Sequence, residues 1–157
     1  MLAFETHDHQ ACVKTRVAAV EMQARARKLR LTPIRRRVLE ILLEDHRALG
    51  AYDVLAKLEA EGLGAHPPVA YRALDFLVEH GFAHKLERRN AFVACDHPDA
   101  GHRPAFLICR DCAAVAEADS AGVARALAQT ASGAGFEIET AAIEAEGLCP
   151  ACQIAAP

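Results

Sequence analysis

Apolar and polar residues alternate with a helical period through most of the first eighty positions. After a start at residues 1–10 that reads as flexible, Val13, Val17, Val20 and Leu29 fall near one face. Lys14, Arg16, Arg25, Arg27 and Lys28 lie elsewhere, so Cys12 to Leu29 is expected to be an amphipathic helix. Thr32 followed by Pro33 marks the cap and first turn of a second helix, which runs to about Asp45 and turns Ile34, Val38, Leu39, Ile41 and Leu42 inward. A third helix, Ala51 to Glu61, carries Val54, Leu55 and Leu58 and stops at Gly62 and Gly64. A fourth, Val69 to His80, follows Pro67 and Pro68 and stops at Gly81. Phe82 to Leu86 and Ala91 to Cys95 are short strand-like runs about a polar turn at Glu87–Asn90. Helices followed by a hairpin predict a winged helix-turn-helix with one extra leading helix.

The pattern then changes. Residues 96–104 hold two prolines, a glycine and two aspartates, and read as a hinge. Ala105–Ile108 and Ala113–Ala118 are expected to pair as strands. Ser120, or its competitor Asp119, caps a helix to about Thr130, and Gly133 and Gly135 break it. Phe136 to Ala145 alternates as a last strand. The expected class is α+β: an N-terminal winged helix-turn-helix domain (1–95), a hinge (96–104) and a small C-terminal α/β dimerisation domain (105–157). A body this small needs a metal ion or a second subunit to close its core, and both are expected.

Composition changes the picture in two places. Of 157 residues, 52% are hydrophobic, enough for real cores, yet no apolar run nears the roughly 18 residues of a membrane span. The first ten residues carry no apolar signal segment, so a cytoplasmic, reducing setting is expected, in which Cys-x-x-Cys pairs hold metal more often than disulfides. The net charge of −3 hides an asymmetry. Residues 1–90 carry 15 Lys and Arg against 12 Asp and Glu, whereas residues 91–157 carry 3 against 9. A basic head precedes an acidic body.

Two Cys-x-x-Cys pairs, Cys109/Cys112 and Cys149/Cys152, supply four thiolates, a set suited to one closed tetrahedral zinc site. Such an ion is structural, because no position is left for water. The spacing inside each pair also suits a rubredoxin-like iron. A second group, His84, Cys95, His102 and Glu117, offers one sulfur, two nitrogens and one oxygen, a set that suits Zn²⁺. Its members come from head, hinge and body, so an ion there would fix the angle between the two parts. His97 competes as a hinge ligand, and His7 and His9 as weak N-terminal ones. His46, His66 and His80 read as surface or loop residues, and Cys12 as a packing residue of the first helix.

Tyr71 and Arg72 lie near the start of the expected recognition helix, where side chains reach base edges. Arginine grips guanine, and tyrosine reaches a thymine methyl or a phosphate. Arg35, Arg36 and Arg37 are placed for backbone contact, Tyr52 for a phosphate, and Lys85, Arg88 and Arg89 lie on the wing. The plainer reading of these cations is a solvated charge run.

Four stretches now resemble a known family. They are Leu31-Thr32-Pro33-x-Arg35, the run from Pro68 to Leu77, Gly81-Phe82-Ala83-His84-Lys85, and Cys109-x-x-Cys112 ahead of Ala114-Val115-x-Glu117. Together, over about Ala19 to Cys152, they resemble the ferric uptake regulator family, and within it the zinc-responsive members. The resemblance implies a homodimeric repressor that binds a palindromic double-stranded DNA operator, AT-rich, of zinc import genes. It implies two Zn²⁺ per subunit, a structural one on Cys109, Cys112, Cys149 and Cys152 and a regulatory one on His84, Cys95, His102 and Glu117. It also puts Tyr71 and Arg72 on the recognition helix and Tyr52 near DNA. The family's usual Thr-Val before the Tyr-Arg pair is Val69-Ala70 here, and the His-rich run of iron-sensing members is absent. The alternatives are an iron-, manganese- or peroxide-responsive repressor of the same family, a zinc hydrolase, and a structural zinc module that binds no DNA.

Overall fold

A computed structural model of the chain describes residues 4, 8–63, 66–98 and 103–155. Among these are six helices and five short strands. Helix α1 spans His9–Ala26 and is capped by Asp8, whose carboxylate accepts the amides of Gln10 (3.0 Å) and Ala11 (3.2 Å). A charged cap inside the expected flexible start thus moves the helix upstream of Cys12. It also ends before Leu29, because Lys28 turns left-handed (φ 55°) and the Leu29 amide folds back on the Ala24 carbonyl. Helix α2, Pro33–Leu43, begins as its sequence predicts: the Thr32 hydroxyl accepts the Arg35 amide and Pro33 opens the first turn. Helix α3, Ala51–Ala60, starts at Gly50, whose amide donates to Asp53 (2.9 Å). Helix α4, Pro67–Glu79, absorbs Pro67 and Pro68 into its first turn instead of starting after them, since proline's fixed φ is already helical there. Gly81, at φ 77°, reverses the chain into the hairpin of β1 (Ala83–Leu86) and β2 (Ala91–Ala94), with Ala83 opposite Ala94 and Leu86 opposite Ala91.

The body is a three-stranded sheet. Strand β3 (Ala105–Cys109) lies between β4 (Val115–Ala118), antiparallel, and β5 (Ile143–Gly147), parallel. Strand β4 starts two residues later than expected, because Ala113 sits at φ 60° in the turn before it. Helix α5 (Ala121–Gly133) carries through Thr130. The Ser120 hydroxyl bonds to the Arg103 carbonyl, while Asp119 accepts the Ala121 amide (2.9 Å). The last strand is corrected most. Gly135 (φ 66°) makes Phe136 part of the helix stop, its amide on the Ala131 carbonyl, and pairing begins only where Ile143 meets Ala105. A short helix, α6 (Pro150–Ala155), closes the described chain and was not anticipated.

The helices of the head enclose one large apolar cluster that includes Val38, Leu39, Ile41, Leu58, Leu74, Leu77 and Phe82, all at most 1% exposed. The body's cluster is small: Phe106, Ile108 and Val115, with Leu86 and Val93 donated by the wing. The connection between α2 and α3 joins the two parts. Leu49 and Phe92 exchange both backbone hydrogen bonds, Ala48 donates to Ala113 (3.1 Å), and Val115 donates to His46 (3.0 Å). Among the described residues no helix is long and apolar enough to cross a membrane.

Candidate metal centres and nucleic-acid interface

Parallel pairing of β3 with β5 sets Cys109 beside Gly147, two residues before Cys149. The turn after β3 brings Cys112 back, and α6 brings Cys152. The four sulfurs lie within 4.8 Å of one another, and none is in a disulfide. Cys112 and Cys149 are 3.8 Å apart at sulfur. Four sulfurs about 2.3 Å from a tetrahedral ion are themselves separated by about 3.8 Å, so the donor set and its spacing fit zinc. Backbone amides of Cys112 and Cys149 point at the Cys109 sulfur and lower its pKa to about 6. The thiols of Cys149 and then Cys109 push Cys152 up to about 12. A dication would offset the mutual repulsion of four thiolates held this close.

The second cluster gathers from three strands. His84 projects from β1, Cys95 follows β2 and Glu117 lies on β4, with ligand atoms within 4.8 Å of one another. His84 Nε2 is 3.8 Å from Glu117 Oε2, and that oxygen also accepts the Asp96 amide (2.8 Å). Burial, then the Glu117 carboxylate, pushes the Cys95 thiol up to about 12. Asp96 pairs with Arg16 of α1, a contact across 80 residues that nothing local in the sequence announces. His102, expected as the fourth donor, lies outside the described residues, as does His7. His97 is exposed.

Tyr71 and Arg72 are exposed near the start of α4, and Tyr52 is 68% exposed at the start of α3. Ala70, just before the pair, is buried in the head core. Lys85 and Arg88 are exposed on the wing, whereas Arg89 is half-buried and paired with Glu146 (3.2 Å). The arginine triplet is engaged within the chain. Arg35 lies 3.8 Å over the Phe76 ring and donates to the Arg30 carbonyl. Arg36 pairs with Glu21 and Glu40, and Arg37 with Glu40, Glu44 and Glu61. Glu144 of β5 was not anticipated at all: its carboxylate accepts the amides of Glu87 (2.7 Å) and Arg88 (3.1 Å), gripping the wing turn from the body.

With this geometry in view, comparison with known proteins is direct. The profile of the Ferric uptake regulator family matches residues 26–146. The zinc uptake regulation protein of Escherichia coli (strain K12) is 42% identical over 139 residues, which cover 87% of this chain and 80% of that protein. A zinc uptake regulator solved in complex with zinc and DNA superposes with a TM-score of 0.85 at 40% identity, over 91% of this chain and 96% of that one. Holo XcZur gives a TM-score of 0.79 at 42% identity, over 88% and 96% of the two chains. Apo XcZur gives only 0.53 at 43% identity, over 90% and 97%. At matched identity, the backbone described here is therefore nearer to the holo form. The family is one of regulators, not of enzymes, and the chain belongs to it: this is a ferric uptake regulator family protein.

Proposed function

We propose that the chain is a zinc-responsive transcriptional repressor that binds palindromic operators of zinc uptake genes when zinc is sufficient. The observation that carries this reading is the His84–Cys95–Glu117 cluster, in which wing and body each supply donors to one point. The likeness to relatives named for zinc uptake, one of them held in complex with zinc and DNA, supports it.

The two clusters support a count of two Zn²⁺ per subunit. One is structural, on Cys109, Cys112, Cys149 and Cys152; the other is regulatory, on His84, Cys95 and Glu117 with His102 as fourth donor. A dication at the regulatory cluster supplies the charge that lets a Cys95 thiolate lie beside the Glu117 carboxylate. The chain's own part is to hold β1, the segment after β2, and β4 at one mutual angle. Apo subunits sample other angles, and metal shifts the population only as far as its affinities for the two forms differ. Sulfur in the donor set favours zinc over iron or manganese, which prefer oxygen and nitrogen surroundings.

Operator binding by a cytoplasmic homodimer completes the reading. Val123, Leu127 and Phe136 are 51%, 41% and 67% exposed on the body, an apolar surface for a second copy to cover. Such a dimer sets two α4 helices about 34–36 Å apart, one DNA turn, or a multiple of that. Tyr71 and Arg72 then read bases, and Lys85, Arg88, Tyr52 and Arg35 contact the backbone. Arg36, Arg37 and Arg89 contribute by exchanging carboxylate partners for phosphate.

The test is a duplex selected from a random-sequence library in excess zinc. Its affinity is then measured with the four-cysteine ion retained and the second site titrated. Affinity should rise with zinc in the wild type and stay flat in Cys95→Ser. Equal affinity with and without added zinc overturns the reading.

A further inference from the structure

Asp96 stands where head, wing and body meet. It follows Cys95 directly in the chain. Its amide donates to Glu117 Oε2 (2.8 Å), the same oxygen that lies 3.8 Å from His84 Nε2. Its carboxylate forms an ion pair with the guanidinium of Arg16 on α1. A single residue therefore orients one donor of the cluster, adjoins a second and reaches the head's leading helix. We propose that Arg16 is a positioning residue of the regulatory metal centre: by pairing with Asp96 it holds the Cys95–Asp96 segment in place and ties α1 to the ion. This rests on the reading of His84, Cys95 and Glu117 as that centre.

Arg16 can hold Asp96 because its own helix is fixed. Val13 packs against the head core, and Val17 and Val20 are buried in it. The Arg16 guanidinium also contacts Cys12, one turn back on α1. Cys12 Sγ lies 3.9 Å from His46 Nε2, and the His46 carbonyl accepts the amide of Val115 at the start of β4, the strand of Glu117. Helix α1 thus reaches that strand by two routes. An exposed ion pair would do little, since water and salt screen it. Here the Arg16 and Asp96 side chains are only 21% and 9% exposed. Losing the guanidinium leaves a poorly solvated carboxylate without its cation, next to Cys95. The chain at Asp96 would shift to bring that charge to water, and the amide that holds Glu117 would move with it. Metal ligands keep their orientation only as well as the groups that hold them do.

The experiment measures zinc affinity at the second site of the full-length protein by competition with a chelator, with the four-cysteine ion retained. Hydrogen exchange of α1 amides is read with and without zinc. Arg16→Gln should bind the second zinc at least about tenfold more weakly than the wild type, as expected when a group that orients a metal ligand is lost. Arg16→Lys, which restores the charge but not the planar fork, should recover part of that loss. Val17→Ala removes core packing from the same helix and spares the pair, so its zinc affinity should stay within about twofold of the wild type. Zinc should slow exchange along α1 in the wild type and not in Arg16→Gln. If Arg16→Gln fails to fold, Asp96→Asn carries the test with the same expected loss, since it keeps the amide to Glu117 and removes the charge. Unchanged zinc affinity in the folded variant, an equal loss in Val17→Ala, or α1 exchange that zinc slows no more in the wild type than in the variant overturns the role of Arg16. A wild type that takes up only the four-cysteine ion overturns the regulatory centre itself, so the two failures are distinguishable.

Discussion

The head and the body reach stability by different routes. Twenty-one buried apolar residues make one cluster in the head, drawn from all four of its helices and its hairpin. The body's cluster has five, and two of them, Leu86 and Val93, belong to the wing. Helix α5 buries none of its residues in the single chain. A side chain such as Leu74 stabilises by about 1.5–3 kcal/mol when fully buried, so the head has enough of them to hold itself. The body has four sulfurs at ion-binding spacing and an uncovered apolar surface. A body of this kind is expected to need something added, a metal ion or a second copy, in order to fold.

The strongest way to break this comparison is to remove a sulfur. Structural zinc carries an apparent binding free energy of about 10–16 kcal/mol, so Cys112→Ser should unfold the body while α1 to α4 persist. Hydrogen exchange read by mass spectrometry should show body amides unprotected and head amides protected; a protected body would mean that the ion is dispensable. Next in size is Leu74→Ala, which should cost about 2–5 kcal/mol in urea unfolding of the head with the four-cysteine ion retained. A loss below 1 kcal/mol would deny that burial governs this half.

A pH series sharpens the contrast further. The Cys95 thiol, raised to about 12 by burial and Glu117, is protonated throughout the neutral range. An ion binding there displaces that proton, so competition falls as pH rises. Zinc affinity at this site should climb about tenfold, or 1.4 kcal/mol, per pH unit from pH 7 to 9. Calorimetry in buffers of different ionisation heat counts the released proton, and Cys95→Ser should lose this part of the slope. The smallest effect concerns Ala113, held at φ 60° between the first cysteine pair and β4. Ala113→Gly relieves the left-handed strain and should stabilise the zinc-loaded body by about 0.5–1 kcal/mol in thermal unfolding.

The parts of this molecule that could be read from sequence are those whose cause lies within a few residues. Thr32 and Pro33 announce α2, Gly81 announces its turn, and the two Cys-x-x-Cys pairs announce the four sulfurs that the fold brings together. What escaped depends on distant partners. The alternation Phe136, Ile138, Ile143 looked like a strand, but β5 exists only where it finds β3, across nearly forty residues. The arginine triplet looked free because Glu21, Glu44 and Glu61 sit on other helical turns and segments; only Glu40, at i+4 from Arg36 and i+3 from Arg37, gave a local hint. The bridge through His46 to Leu49 carried no signal, since its role is a matter of backbone pairing. His84, Cys95 and Glu117 were named together from donor chemistry and the family resemblance, and the fold brings these three within ligand distance.

Glu144 gives the wing a second master. Its two oxygens take the amides at the hairpin's tip, and Glu146 on the same strand offsets the charge of Arg88 and Arg89. That strand runs directly into Cys149. The hairpin's orientation is thus set by the tail of the chain as well as by the head core that takes Ala83, Phe92 and Ala94. Slack at the terminal cysteines would loosen that second hold on the hairpin's tip.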